Sequence, residues 1–216
     1  MDVHTYMSKE VITISQDTKI LEALDAMKAH KIHRLPVVEK GQLIGLVTEG
    51  VIQQNSPSTA TSLSIHELNY LLTKTTVKEI MLTDVKTISP NALLEEAAVR
   101  MRENQISVLP VVENQNQVVG IITEKDIFDA FIDLLGYYNQ GCRVVVDIPE
   151  DHTGILENIT HLFATEKMSI DQIAVYRKTG LTQVVIQVAS TDDAKIKEML
   201  TQQHYHVSSC LLKNGK

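Results

Sequence analysis

The chain has no tryptophan, three phenylalanines, six tyrosines and two cysteines among its 216 residues, and no excess of positive charge. Each shortage excludes something. So few aromatics offer no stacking platform for nucleic-acid bases, and 20 Lys plus Arg against 27 Asp plus Glu, a net charge of −7, offer no field for a polyanion. Nucleic acid is therefore not an expected partner. Two cysteines cannot build a disulfide framework, and no Cys-x-x-Cys occurs. The longest apolar runs, such as Val144-Val145-Val146, fall far short of the roughly 20 residues that span a bilayer. The start, Met1-Asp2-Val3-His4, lacks the cationic and apolar regions of a signal peptide. The expectation is a cytoplasmic protein with no membrane partner. Composition is ordinary for a globular chain, 44% apolar and 22% charged. The length suits two or three small domains better than one uniform core.

What is present is a repeat. Shifting the chain by 74 positions aligns Val3–Glu39 with Val77–Glu113, and 15 of the 37 columns are identical. They include Met7/Met81, Thr13-Ile14-Ser15/Thr87-Ile88-Ser89 and the Leu-Pro-Val-Val-Glu runs at 35–39 and 109–113. A one-residue insertion near Gln115 then aligns Gly45–Glu49 with Gly120–Glu124. Such self-similarity is an internal duplication. In each copy an apolar stripe at helical spacing (Ile20, Leu21, Leu24 and Met27; Leu93, Leu94, Ala97, Ala98 and Met101) precedes two β-branched runs. Those runs are Leu35–Glu39 with Leu43–Thr48, and Leu109–Glu113 with Val118–Thr123, and Thr123 opens a further helix through Phe131. The order is strand, helix, strand, strand, helix. Each copy is too small to bury its faces alone, so the two should pack about a pseudo-twofold axis.

Residues 3–54 and 77–135 resemble a tandem pair of cystathionine-β-synthase-type (CBS) domains, the Bateman module. The resemblance is carried by His33-Arg34-Leu35-Pro36-Val37-Val38, by Gly120-Ile121-Ile122-Thr123-Glu124-Lys125-Asp126 and by the duplication. It implies a non-catalytic module that binds adenosine-containing nucleotides between its halves. The expected layout is unit one at 1–54, a Ser/Thr-rich linker with a short helix at 55–76, unit two at 77–138, and a separate module at 142–212. In the linker, Ser64-Ile65-His66-Glu67 has capping-box spacing ahead of Leu68, Leu71 and Leu72. It reads as a spacer helix or a ligand-responsive lid.

Thr123-x-x-Asp126 stands where a strand meets a helix. Its hydroxyl and carboxylate suit phosphate and ribose, although the same spacing also caps a helix without any ligand. The first copy keeps Thr48 but has Val51 in place of the carboxylate, so one nucleotide site rather than two is expected. Lys28–Arg34 holds three fixed cations, two histidines and no acid. Lys28 and Lys31 suit a helix C-terminus, whereas Arg34 leads into a strand with a fork suited to phosphate oxygens. By the resemblance, His33 and Arg34 reach the phosphate of a nucleotide held by Thr123 and Asp126, while Thr87, Ile106 and Val108 line the base. The ligand implied is AMP, ATP or a related adenine nucleotide, as a regulatory ligand and not a cofactor.

From Cys142 the pattern changes to β-α-β-β-α-β, the ferredoxin-like split unit, making the whole chain α/β (α+β). Asp147–Leu156 resembles the strand–loop–helix signature of ACT domains, which bind amino acids or similar small effectors. The resemblance implies an effector near Asp151, Gly154, Ile155 and Leu156, or a unit that only dimerises. Exposed sheet edges point to a homodimer. Cys142 and Cys210 fall on neighbouring strands and are expected reduced. His204-x-His206 could share a strand face, but no further metal ligands are nearby. The combination resembles acetoin-utilisation AcuB-type regulatory proteins. A cytoplasmic sensor acting on an unidentified partner protein is expected, with a structural adaptor as the alternative. No Gly-x-Ser-x-Gly, P-loop or zinc-spaced cluster announces an enzyme.

Overall fold

The computed structural model describes residues 1–55, 74–178 and 180–214. The capping-box helix expected at Ser64–Leu72 lies outside the described residues. Two compact units divide the chain, Met1–Ile127 and Phe128–Lys216.

In the first unit the elements run α1 (Val3–Tyr6), α2 (Ile20–His30), β1 (Arg34–Glu39), β2 (Gln42–Thr48) and α3 (Glu49–Asn55). A 3₁₀ turn at Val77–Glu79 then leads to α4 (Leu94–Asn104), β3 (Val108–Glu113), β4 (Gln117–Thr123) and the start of α5 (Glu124–Leu134). Helix α3 runs to Asn55, the first residue of the expected linker. The apolar stripes turn inward as their spacing requires: Ile20, Ala23 and Met27 are buried in α2, and Leu94, Ala97 and Met101 in α4. Each hairpin buries its Leu-Pro-Val run, with Leu35, Val37, Leu109 and Val111 at 0% exposure. The hairpins join as one sheet, β1-β2-β4-β3, through a single central bridge, Gln42 to Gln117.

The opening strand expected in each copy contracts to one residue. Ile14 bridges Val37 and Ile88 bridges Val111, both in parallel. On either side of Ile14 the chain is already committed, to a turn at Ser15–Thr18 and to a bridge at Ser8. That second commitment crosses between copies. Ser8 and Ile121 exchange backbone hydrogen bonds at 2.9 and 3.0 Å, as Leu82 and Leu46 do at 2.9 Å each. The lead segment of each repeat therefore lies on the hairpin of the other, with Met7 packed over Gly120 and Met81 over Gly45. A side chain at either glycine would meet the methionine sulfur.

The second unit continues α5 and adds β5 (Gln140–Ile148), α6 (Ile155–Thr165), β6 (Ile170–Lys178), β7 (Leu181–Val188), α7 (Asp193–Gln202) and β8 (His206–Asn214). The sheet order β6-β7-β5-β8, antiparallel throughout, is the ferredoxin-like arrangement. Its core gathers Val144, Val146, Ile148, Val184, Ile186 and Val188 from the sheet with Ile159, Phe163, Ile196 and Leu200 from the helices. Gly154 holds φ +94° at the N-cap of α6, a left-handed geometry that glycine adopts without a Cβ penalty. Asp192 caps α7 by accepting from Lys195 N at 2.9 Å.

Both cysteines are free thiols. Val144 pairs with Cys210 and Cys142 with Leu212, so the two sulfurs occupy diagonal positions on adjacent strands. Burial pushes Cys210 up to about 11 and raises Cys142 as well, which keeps both protonated and unreactive near neutrality. His204 does not share a strand face with His206, because it sits in the turn at φ +63° before β8. His206 instead binds the Asp147 carboxylate through Nδ1 at 2.9 Å. Among the described residues no group of three or more His, Cys, Asp or Glu could hold a metal ion. Nor is any described helix long and apolar enough to cross a membrane.

Candidate functional site

His33 and Arg34 emerge from the left-handed cap of α2 at Lys31 (φ +54°) into β1, and Ser107 and Val108 leave the matching cap at Gln105 (φ +54°) into β3. Because the two hairpins adjoin, these starts meet. Arg34 Nη1 donates to the Ser107 carbonyl at 2.8 Å, and the same carbonyl accepts the Glu124 amide at 3.2 Å. A cation of the first repeat is thereby fixed beside the strand end of the second. Partial burial lowers the Arg34 pKa from its ordinary value, and the Glu124 charge opposes that shift. Ser107 O is the one hydrogen-bond acceptor the guanidinium uses among the described residues, which leaves further N–H donors for a ligand.

A cleft of about 420 Å³ opens here, within the size range of small-molecule sites. The first repeat contributes His33, Arg34, Leu46, Thr48, Glu49 and Gly50. The second contributes Leu82, Asp84, Val85, Lys86 and Gln105–Val108. Apolar walls from Leu46, Val85, Ile106 and Val108 face a rim carrying His33, Arg34, Lys86, Glu49 and Asp84. Four of these five rim groups contact one another in pairs: His33 Nδ1 with Glu49 Oε2 at 2.9 Å, and Lys86 Nζ with Asp84 Oδ2 at 3.0 Å.

The seven residues expected from the sequence divide into two groups. His33, Arg34, Ile106 and Val108 line this cleft together with Thr48, while Thr87, Thr123 and Asp126 are not part of its lining. The physical reason is the exchange of lead segments, which sets the strand end of one repeat against the approach strand of the other. Ile106 and Val108 line the cleft with Thr48, and Val108 also pairs with Thr123 across the β3–β4 ladder. Thr123 and Asp126 form the capping arrangement, with Asp126 Oδ2 accepting from both Thr123 N and Thr123 Oγ1 at 2.7 Å. Oδ1 makes no bond among the described residues and remains available as an acceptor. Thr87 adjoins the bridge residue Ile88, and its carbonyl accepts from Arg100 Nη1. Lys86 was not singled out by sequence reasoning. Its signal was its counterpart, Ile12, at the matching column of the first repeat.

In the second unit Asp151 Oδ2 accepts from Arg177 Nε at 3.0 Å, and Ile155 and Leu156 pack against the core. Gly154 is exposed, and nothing lies within 4 Å of where its Cβ would be.

The CBS domain family model matches residues 2–52 and 77–133. A CBS domain-containing protein of Dictyostelium discoideum is 32% identical over 143 residues, covering 62% of this chain and 92% of its own length. The inosine-5′-monophosphate dehydrogenase of Thermoplasma acidophilum is 26% identical over 94% of this chain, which spans only 36% of that enzyme. Among solved structures, a CBS domain pair in complex with 5′-methylthioadenosine and S-adenosyl-L-methionine aligns with TM-score 0.50 and 30% identity, covering 61% of this chain and 95% of its own. An acetoin utilization protein (AcuB) structure from Vibrio cholerae aligns with TM-score 0.53 and 29% identity, covering 63% of this chain and 93% of its own. With two matched segments on two matching halves of one sheet, the chain belongs to the CBS domain family, as a tandem pair followed by a further domain.

Proposed function

We propose that the protein is a regulatory sensor that holds an adenine nucleotide, AMP, ATP or a relative, between its CBS repeats. The observation that carries this reading is the shared Ser107 carbonyl, which sets the Arg34 guanidinium next to the Thr123–Asp126 turn. Arg34 and His33 would take phosphate oxygens, with the open Oδ1 of Asp126 and the Thr123 hydroxyl taking ribose hydroxyls. Ile106 and Val108 would supply apolar wall for a purine, together with Thr87. The adenosine ligands of the similar CBS pair support the same class. Binding would alter how the halves pack, and a partner protein that distinguishes the two states would read it. The role is cytoplasmic and regulatory rather than catalytic.

For the second unit, ferredoxin-like in its strand order, the reading is dimerisation. Among the described residues strands β6 and β8 end the sheet with unpaired edges, and Leu211 and Leu212 on β8 are 61% and 49% exposed. Asp151 is already paired with Arg177, which favours this role over an amino acid or other small effector at Asp151–Leu156. Light scattering of the full chain checks it, a dimer being the expected mass.

The nucleotide reading is tested by thermal melts with AMP, ADP, ATP, adenosine and S-adenosylmethionine. A ligand at 100 times its dissociation constant adds about 2.7 kcal/mol, and Asp126→Ala and Arg34→Ala are expected to abolish most of the shift. No shift with any of the panel favours the structural adaptor.

A further inference from the structure

Helix α5 ends on the sheet of the second unit, held by side chains from both sheet edges. Gly136 (φ +61°) closes the helix: its amide donates to Asp133 O at 2.9 Å, and the Tyr137 amide donates to Ile132 O at 3.1 Å. From β6, Gln172 Nε2 donates to the same Asp133 carbonyl at 3.1 Å, and from β8, Lys213 Nζ donates to the Gly136 carbonyl at 2.6 Å. Lys213 also stands 5.3 Å from the centre of the Tyr137 ring. A Cβ on Gly136 would fall on Gln172 Oε1, so only glycine fits beneath that side chain. Strand β7 runs between the two anchoring edges, and there the contact has a flaw. Ile186 and Val188 point into the helix-covered core, so Gln187 points to the opposite, open face, beside its cross-strand partner Gln172. Gln187 is 2% exposed, yet neither Oε1 nor Nε2 of its amide has a hydrogen-bond partner among the described residues. A buried amide without partners is costly, and admitting water would relieve it.

We propose that the end of α5 is a releasable latch on the open face of the second unit's sheet, fastened by Gln172 and Lys213 and kept near its opening point by the unpaired amide of Gln187. Closed, the latch fixes the last turn of α5 to the sheet. Open, it lets water reach Gln187 and gives the chain at Gly136–Asn139 the freedom of a hinge. Because the chain passes from the first unit to the second along α5, the latch sets whether the second unit is carried rigidly or on a tether. The polar flaw is what makes release easy, since an apolar side chain at 187 would fill the same burial at no cost in unmade hydrogen bonds. Release is local, leaving the core of Val144, Val146, Val184 and Ile186 closed. The inference does not depend on a nucleotide binding in the first unit.

The test is hydrogen–deuterium exchange of the full chain in wild type, Gln187→Leu and Lys213→Met. The amides followed are those of Gly136, Tyr137 and Asn139, which are bonded within the turn, with the β5 and β7 amides as the core reference. In wild type the turn amides are expected to exchange well ahead of the core. Gln187→Leu slows them by roughly tenfold, and Lys213→Met speeds them by roughly three- to tenfold, with core exchange unchanged in both. Turn amides that exchange at the core rate in wild type would overturn the inference, because no separate opening then exists. Unchanged or faster turn exchange in a folded Gln187→Leu would also overturn it. Should Gln187→Leu fail to fold, Lys213→Met decides alone: turn exchange equal to wild type overturns the latch, and faster turn exchange over an unchanged core supports it.

Discussion

Leu35 and Leu109, Val37 and Val111, and Met27 and Met101 hold equivalent buried positions in the two repeats, whereas His33-Arg34 stands opposite Ser107-Val108 and Val51 opposite Asp126. The duplication has kept the side chains that a helix-on-hairpin core demands and varied those around the cleft. Packing tolerates little change at a site with no exposed surface, while a rim residue can change charge at almost no cost in stability. The difference between the halves is consequently a map of what the cleft uses. Cations stand on one side of the twofold and the Asp126 carboxylate on the other.

The largest expected effect tests the sameness. Leu35→Ala and Leu109→Ala should each destabilise the first unit by about 2–5 kcal/mol, with similar losses in urea melts. A large disparity would mean that one repeat carries the core. Gly45→Ala and Gly120→Ala come next, at about 1–3 kcal/mol each, because the added methyl group enters the space of Met81 or Met7. Truncating the matching methionine to alanine in the same chain should recover part of that loss, read from the same melts. Val51→Asp would sharpen the comparison by giving the first repeat the acid of the second. Discrimination between ATP and its dideoxy analogue in the Thr48 cleft should then rise by up to about tenfold, a charged hydrogen bond being worth about 1.5–3 kcal/mol before the cost of repulsion from Glu49.

The smallest effect contrasts the repeats with the second unit. Hydrogen bonds from Gln183, His206 and Ser208 hold the Asp147 carboxyl below its ordinary 3.8. A lowered folded-state value contributes stability above the unfolded value, and this is lost as pH falls through the lowered one. Acid melts below pH ~4 should therefore cost the second unit up to about 1 kcal/mol, and Asp147→Asn should remove that dependence.

Much of this architecture was legible in the sequence. The 74-residue repeat, the α2 and α4 stripes and the β-α-β-β-α-β order of the second unit follow from periodicity and turn residues, which act locally. Which repeat a lead segment joins does not. Ser8 and Leu82 carry no local mark of a partner more than 30 residues away, so the cleft that Ile106 and Val108 line with Thr48 was not legible. Met7/Met81 and Gly45/Gly120 were visible as matched columns, yet only the fold shows that each methionine covers the glycine of the other repeat. Lys86 escaped notice for a related reason: a lone lysine before a β-branched pair becomes informative only once its neighbours across the cleft are known.

The central claim is that Arg34, fixed by the Ser107 carbonyl, binds the phosphate of an adenine nucleotide. The most direct measurement is calorimetric titration of AMP into wild type and Arg34→Ala. The account predicts saturable binding in wild type and at least tenfold weaker binding in the variant, from the loss of about 1.5–3 kcal/mol of charge-assisted hydrogen bonding. Equal affinity in the two proteins, with both folded by circular dichroism, would contradict it.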